Sequence, residues 1–143
     1  PGNPLGFVRP LNNPKMESGE ITGFTGLWTI PPRAPGGIIQ GFFPAMIVFS
    51  GDHFVAQIGC LSGANNCDVT FELRYRVITP PNHNVTEDSV TYNKTYTGTL
   101  TDINLDLASL GLSGRYVSFI FRVQANNNSN ENQAVWVGPR IVH

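Results

Sequence analysis

Hydrophobic and polar residues alternate along much of this chain with a period of two. From Asp68 to Val77, the residues Val69, Phe71, Leu73, Tyr75 and Val77 fall on one side, and Asp68, Thr70, Glu72, Arg74 and Arg76 on the other. Successive side chains of an extended strand point to opposite faces, so this run is a half-buried strand. The preceding run alternates in the same way, with Phe54, Ala56, Ile58 and Cys60 inward and His53, Val55 and Gln57 outward. Between the two lies a Gly- and Asn-containing turn, so they are expected to form a hairpin.

Towards the C-terminus the alternation returns, with Phe119, Phe121 and Val123 as core candidates. An apolar-free loop, 126–132, follows. Ala134–Val142 then reads as the last strand, and Pro139 places its end near a sheet edge. The middle is more polar: Ser89–Thr101 predicts one or two strands, and Asp102–Leu110 one helical turn closed by Gly111 and Gly114. Residues 31–37, rich in Pro and Gly, form a loop inside the domain. Roughly seven or more short strands with regular turn signals predict an all-β fold, an antiparallel β-sandwich of jelly-roll or Greek-key order. Residues 1–17 are expected to form an extended N-terminal arm and 18–143 a single domain. A chain of 143 residues supports one core, able to bury roughly 68–70% of its unfolded surface.

Charge narrows the function. Only 13% of residues are charged and the net charge is −1, which disfavours a nucleic-acid footprint or an anionic-membrane binder. The longest apolar run, Gly41–Phe49, is broken by Pro44 and falls short of the ~18 residues of a membrane span. The chain begins at Pro1, consistent with removal of a leader or an upstream domain. Cys60 and Cys67 are the only cysteines and are expected to form a disulfide across the hairpin end, which implies an oxidising, extracellular setting.

The stretch Leu105–Val123, with Leu107, Leu110, Gly111 and Gly114 leading into a long strand, and the closing segment Trp136–Ile141, with Pro139, Arg140 and Ile141, resemble the C-terminal half of galactose-binding-like jelly rolls. Many carbohydrate-binding modules belong to that group. The resemblance implies the fold, through packing motifs.

Candidate chemistry is sparse. His53, His83 and His143 are isolated in sequence, and no local signature of a nucleophile accompanies them. Glu72, between Thr70 and Arg74, reads as cross-strand charge pairing, and Glu87 and Asp88 as solvated acids; neither suggests the paired carboxylates of a glycosidase. No enzyme activity is expected. Asp102, Asn104 and Asp106 alternate as calcium ligands would, but the same spacing arises in a strand that turns Ile103, Leu105 and Leu107 inward, the favoured reading. No cofactor is expected.

For sugar binding, Trp28, Tyr92 and Tyr96 are the stacking candidates, since aromatic faces suit the apolar faces of pyranose rings. Trp136 is read as core. Asn84, Asn93 and Asn127 each begin an Asn-x-Ser/Thr sequon and are candidate glycosylation sites. In the arm, Leu5, Phe7 and Leu11 form an apolar row that packs either along this chain's own sandwich or into a neighbour's sheet edge. The leading expectation is a non-catalytic extracellular structural protein, a subunit of a surface assembly or filament partnered by itself or other surface proteins. The alternative is a carbohydrate-binding module of a larger secreted protein, partnered by polysaccharide.

Overall fold

The computed structural model describes residues 6–79 and 84–143. Ten strands are defined in it: β1 Phe7–Leu11, β2 Gly26–Ile30, β3 Ile38–Phe42, β4 Met46–Ile47, β5 His53–Cys60, β6 Asp68–Thr79, β7 Asn84–Thr95, β8 Thr101–Asp106, β9 Tyr116–Ala125 and β10 Ala134–Val142. They form two antiparallel sheets, in the orders β1-β2-β10-β5-β8 and β3-β9-β6-β7, with β4 also paired to β9. Leaving aside β1, orders 2-10-5-8 and 3-9-6-7 are those of an eight-stranded jelly roll. The expected all-β sandwich is therefore the fold.

The period-two pattern works because both sheets turn one face to a shared interior. Phe54, Ala56, Ile58 and Cys60 of β5 meet Val69, Phe71, Leu73, Tyr75 and Val77 of β6 there, around the buried Trp136. Trp136 stacks on Phe121 at 4.8 Å and takes the edges of Phe71 and Phe54 at 5.1 and 6.4 Å. β5 and β6 are not a hairpin, however: they lie in opposite sheets. Alternation says which face of a strand is buried and not which sheet holds it. The Cys60–Cys67 disulfide, with Cα atoms 6.4 Å apart, thus ties one sheet to the other across an arch.

Three further elements sharpen the reading of the sequence. Of the two places open to the arm, residues 7–11 take this chain's own sandwich, as an edge strand with Phe7 opposite Ile30 and Leu11 opposite Gly26. Phe7 and Leu11 pack on a second apolar cluster of Met16, Trp28, Ile30, Val135 and Val137, so their apolar row is already covered in cis. Leu5 lies outside the described residues. Pro139 follows the last β10–β2 pair, Val137 opposite Gly26, so this end of β10 has a strand neighbour only in β5, as the proline implies, and the β10–β5 register shifts there between Val137 and Arg140. β7 runs unbroken for 12 residues beside the whole of β6.

Residues 107–110 form a 3-10 turn after β8. Its first turn is capped by the Asp106 carboxylate accepting from Ala108 N–H, and it ends at Gly111 in the left-handed region, φ 76°. Ile103 and Leu107 are buried, as the strand reading of this segment requires.

The disulfide end of the sandwich holds a buried ion pair that the sequence does not advertise. Lys94 Nζ lies 3.0 Å from Glu17 Oε1 and donates to Thr95 O and Thr97 Oγ1. Glu17 also accepts from the backbone N–H groups of Cys60, Thr97 and Gly98. Both groups are therefore fully hydrogen-bonded, the condition under which buried charge is tolerated.

Candidate functional site

The face of the β3-β9-β6-β7 sheet that points away from the core collects residues from all four strands. Register aligns Phe42, Ile120, Arg74 and Ser89 in one row, and Gln40, Arg122, Glu72 and Thr91 in the next. Arg76 and Glu87 face each other on β6 and β7. Since each is two residues from its neighbour along a strand, all point the same way.

These side chains form one connected array. Arg74 bridges Glu72 and Glu87, with nitrogen–oxygen distances of 2.7 Å to each. Arg76 Nε reaches Glu87 at 3.2 Å, and Arg122 Nη1 stands 3.8 Å from Glu72. The Arg76 guanidinium also lies over the Phe42 ring, 5.9 Å from its centroid. Arg122 Nε is buried without a hydrogen-bond partner. Arg74, and then Arg76, hold the Glu87 carboxyl below the usual carboxylate range, and Glu87 raises Arg74. A carboxylate held ionised in this way is a hydrogen-bond acceptor and a poor proton donor.

Beneath the array Ile120 is buried although it faces outward. The unbroken apolar pair Ile120 and Phe121 was the signal that β9 is covered on both faces. Around the array Phe42 and Tyr116 are exposed, at 58% and 46%, with Ile47 and Val85 beside them on the same sheet. Gln40 and Gln124 flank Arg122 by register, and Thr70 donates to Asn93 at 2.8 Å at the far end. The arrangement offers fixed planar donors and acceptors within an apolar, partly aromatic border.

The stacking candidates read from sequence do not lie here. Trp28 is only 9% exposed, with Phe7 edge-on at 5.0 Å and the Arg9 guanidinium 4.8 Å over its ring, so neither ring face is open to a sugar. Tyr92 pairs with Phe71 and so faces the interior, where burial raises its hydroxyl pKa. Tyr96 packs on the core and its hydroxyl accepts from Gly63 N–H, closing the disulfide turn. A polar sequence around these tyrosines suggested exposure, but on an alternating strand the polar residues were the other face. Phe42 sits in the apolar run 41–49, where no alternation separates exposed from buried side chains.

The remaining candidates are dispersed. His53 Nδ1 pairs with Asn104 at 2.8 Å and His143 Nδ1 with Asp52 at 3.0 Å. His83 lies outside the described residues. Gln57 donates to Asp102, so Asp102, Asn104 and Asp106 each serve a separate partner, as strand neighbours do. Asn93 stands on an exposed strand position. Asn127 is half-buried, donating to Asn66 O and accepting from Asn132 and Ser129, so its amide shapes the loop. Asn84 begins β7, and its side chain is outside the described residues.

No protein-family model matches the sequence, and no curated protein matches it. Two solved structures align with this chain. One, described as "Structural basis for the promiscuous specificity of the carbohydrate-binding modules from the beta-sandwich super family", aligns over 97% of this chain with a TM-score of 0.59 and 14% identity. This chain spans 54% of that one, about half its length. The other, "Family 16 Carbohydrate Binding Module-2", covers 90% of this chain and 83% of its own, with 8% identity and a TM-score of 0.47. Together with the strand order, the first likeness gives this chain the β-sandwich fold found in carbohydrate-binding modules.

Proposed function

We propose that this domain is a non-catalytic carbohydrate-binding module of an extracellular protein, and that it meets its glycan on the outer face of the β3-β9-β6-β7 sheet. The observation that carries the reading is the array of Glu72, Arg74, Arg76, Glu87 and Arg122 bordered by exposed Phe42 and Tyr116. Guanidinium and carboxylate groups engage neighbouring hydroxyls, and exposed rings accept the apolar face of a pyranose. Because the array is already cross-linked, little side-chain freedom is lost on binding. The disulfide and the fold support an extracellular setting.

The filament reading rested on the N-terminal row, and Phe7 and Leu11 are occupied within their own sheet. Of the two sequon asparagines whose side chains are described, Asn93 is the exposed one, and it stands opposite Thr70 on that same outer face.

Affinity electrophoresis in gels containing soluble polysaccharides tests the proposal. At least one polysaccharide should retard the protein, and Arg122→Ala, Glu72→Gln and Tyr116→Ala should each weaken retardation by roughly tenfold or more. Binding unchanged by all three substitutions would place the glycan elsewhere. No retardation across a broad panel would remove the proposal.

A further inference from the structure

The two sheets separate where two chain irregularities face each other. In β10 the register shifts between Val137 and Arg140, around Gly138 and Pro139. In the opposite sheet the edge breaks between β3 and β4, at Phe43, Pro44 and Ala45. Between the breaks opens a cleft of about 410 Å³, walled by Leu27, Phe43, Met46, Phe54, Phe121 and Ile141. Among its lining residues Arg140 is the only charged one, and it stands at an exposed position.

The mouth is built rather than left over. Arg140 Nη1 donates to Gly138 O at 2.8 Å, and its guanidinium lies 5.1 Å over the ring of Phe24. Gly138 has φ +56°, and a Cβ there would come within 3.2 Å of Phe24 Cγ and 3.3 Å of Arg140 Nη1. Glycine is thus what lets the ring and the guanidinium close together over the bend. This fixes a cation beside an apolar entrance.

A hydroxyl-rich sugar does not suit such a wall, since its polar groups would lose water without replacement partners. An engineered apolar cavity of ~150 Å³ holds benzene, so this one has room for a longer apolar group, and it falls in the ~300–1,000 Å³ range of small-ligand sites. We propose that the cleft is a second binding site, independent of the glycan face, for a monomeric amphiphile with an unbranched acyl chain and a carboxylate head. The chain enters between the sheets and the head pairs with Arg140.

Isothermal titration of the whole domain with decanoate and with decan-1-ol, below the concentration at which either aggregates, tests this. Decanoate should bind at one saturable site, roughly tenfold or more tighter than decan-1-ol. Arg140→Gln, on an exposed side chain, should erase that preference while leaving decan-1-ol binding unchanged. Met46→Trp, filling the cleft from its partly exposed lip, should abolish binding of both, and if this variant does not fold the Arg140→Gln comparison decides. Absence of saturable decanoate binding, equal affinity for acid and alcohol in the unmodified protein, or unchanged binding in a folded Met46→Trp variant would each overturn the site.

Discussion

Removing Glu17 should destabilise this domain far more than removing Lys94, although the two form one ion pair. Both are nearly inaccessible, with side chains 0% and 5% exposed. In Glu17→Leu the N–H groups of Cys60, Thr97 and Gly98 lose their acceptor, and the Lys94 ammonium loses its counter-charge. Breaking a buried pair from one side costs about 3–5 kcal/mol, and stranded N–H groups add to it. In Lys94→Met the carboxylate keeps all three N–H donors, which replace much of its lost hydration, so the cost should fall to about 1–3 kcal/mol. For a domain of this length 1 kcal/mol corresponds to roughly 3–5 °C in Tm, which separates the variants by several degrees. Calorimetric melting of both single variants and the double Glu17→Leu/Lys94→Met gives the comparison. The double variant should lose less than the sum of the singles, because it strands no ammonium. If Lys94→Met proves as costly as Glu17→Leu, the backbone N–H groups are not what holds the carboxylate, and the reasoning fails.

Deleting residues 1–12 should lower the melting temperature, through loss of Phe7 and Leu11 from the Trp28 cluster, without changing the number of chains per particle in light scattering; a change in that number with unchanged melting would contradict the cis strand. Reducing Cys60–Cys67, seven positions apart, should cost about 2–3 kcal/mol in the chain-entropy model, read as the difference in denaturant midpoint with and without reductant. Glu87 is held below its ordinary range by Arg74 and then Arg76, so its contribution is present above the unfolded carboxylate range and is lost as pH falls through the lower folded value. Glu87→Gln should therefore flatten the acid side of the stability curve, and an unaltered acid limb would argue against the pairing.

The inward faces of β5 and β6 were legible because each places an apolar residue at every second position, and that alone implied a sandwich. Sheet membership was not legible, since Phe54 and Phe71 satisfy the same rule from opposite sides of one core. Strand β1 was hidden by Pro4 and Pro10, which mark an edge without saying whose edge. Phe42 gave no signal of its own, because Phe43 and Met46 in the same run are equally apolar and line the cleft instead. Glu17 gave no signal at all: its role comes from Cys60, Thr97 and Gly98, which are distant in sequence. The array on the outer sheet face was readable only as alternating charges on β6, because its partners Glu87 and Arg122 are supplied by register.

The order β1-β2-β10 has a mechanical consequence. β1 and β10 both pair antiparallel with β2 and therefore run in the same direction. The chain enters the sheet at Phe7, near the beginning of β10, and leaves at the far end of β10. Tension applied through whatever is joined to the two ends would pull β1 and β10 oppositely along their lengths, and would load the hydrogen bonds on both sides of β2 in shear. Antiparallel bonds lie perpendicular to the strands, so in that geometry they share the load and do not open one after another. The β3-β9-β6-β7 sheet contains neither terminal strand. A glycan held on its outer face would stay on an unloaded surface while the other sheet carried the force.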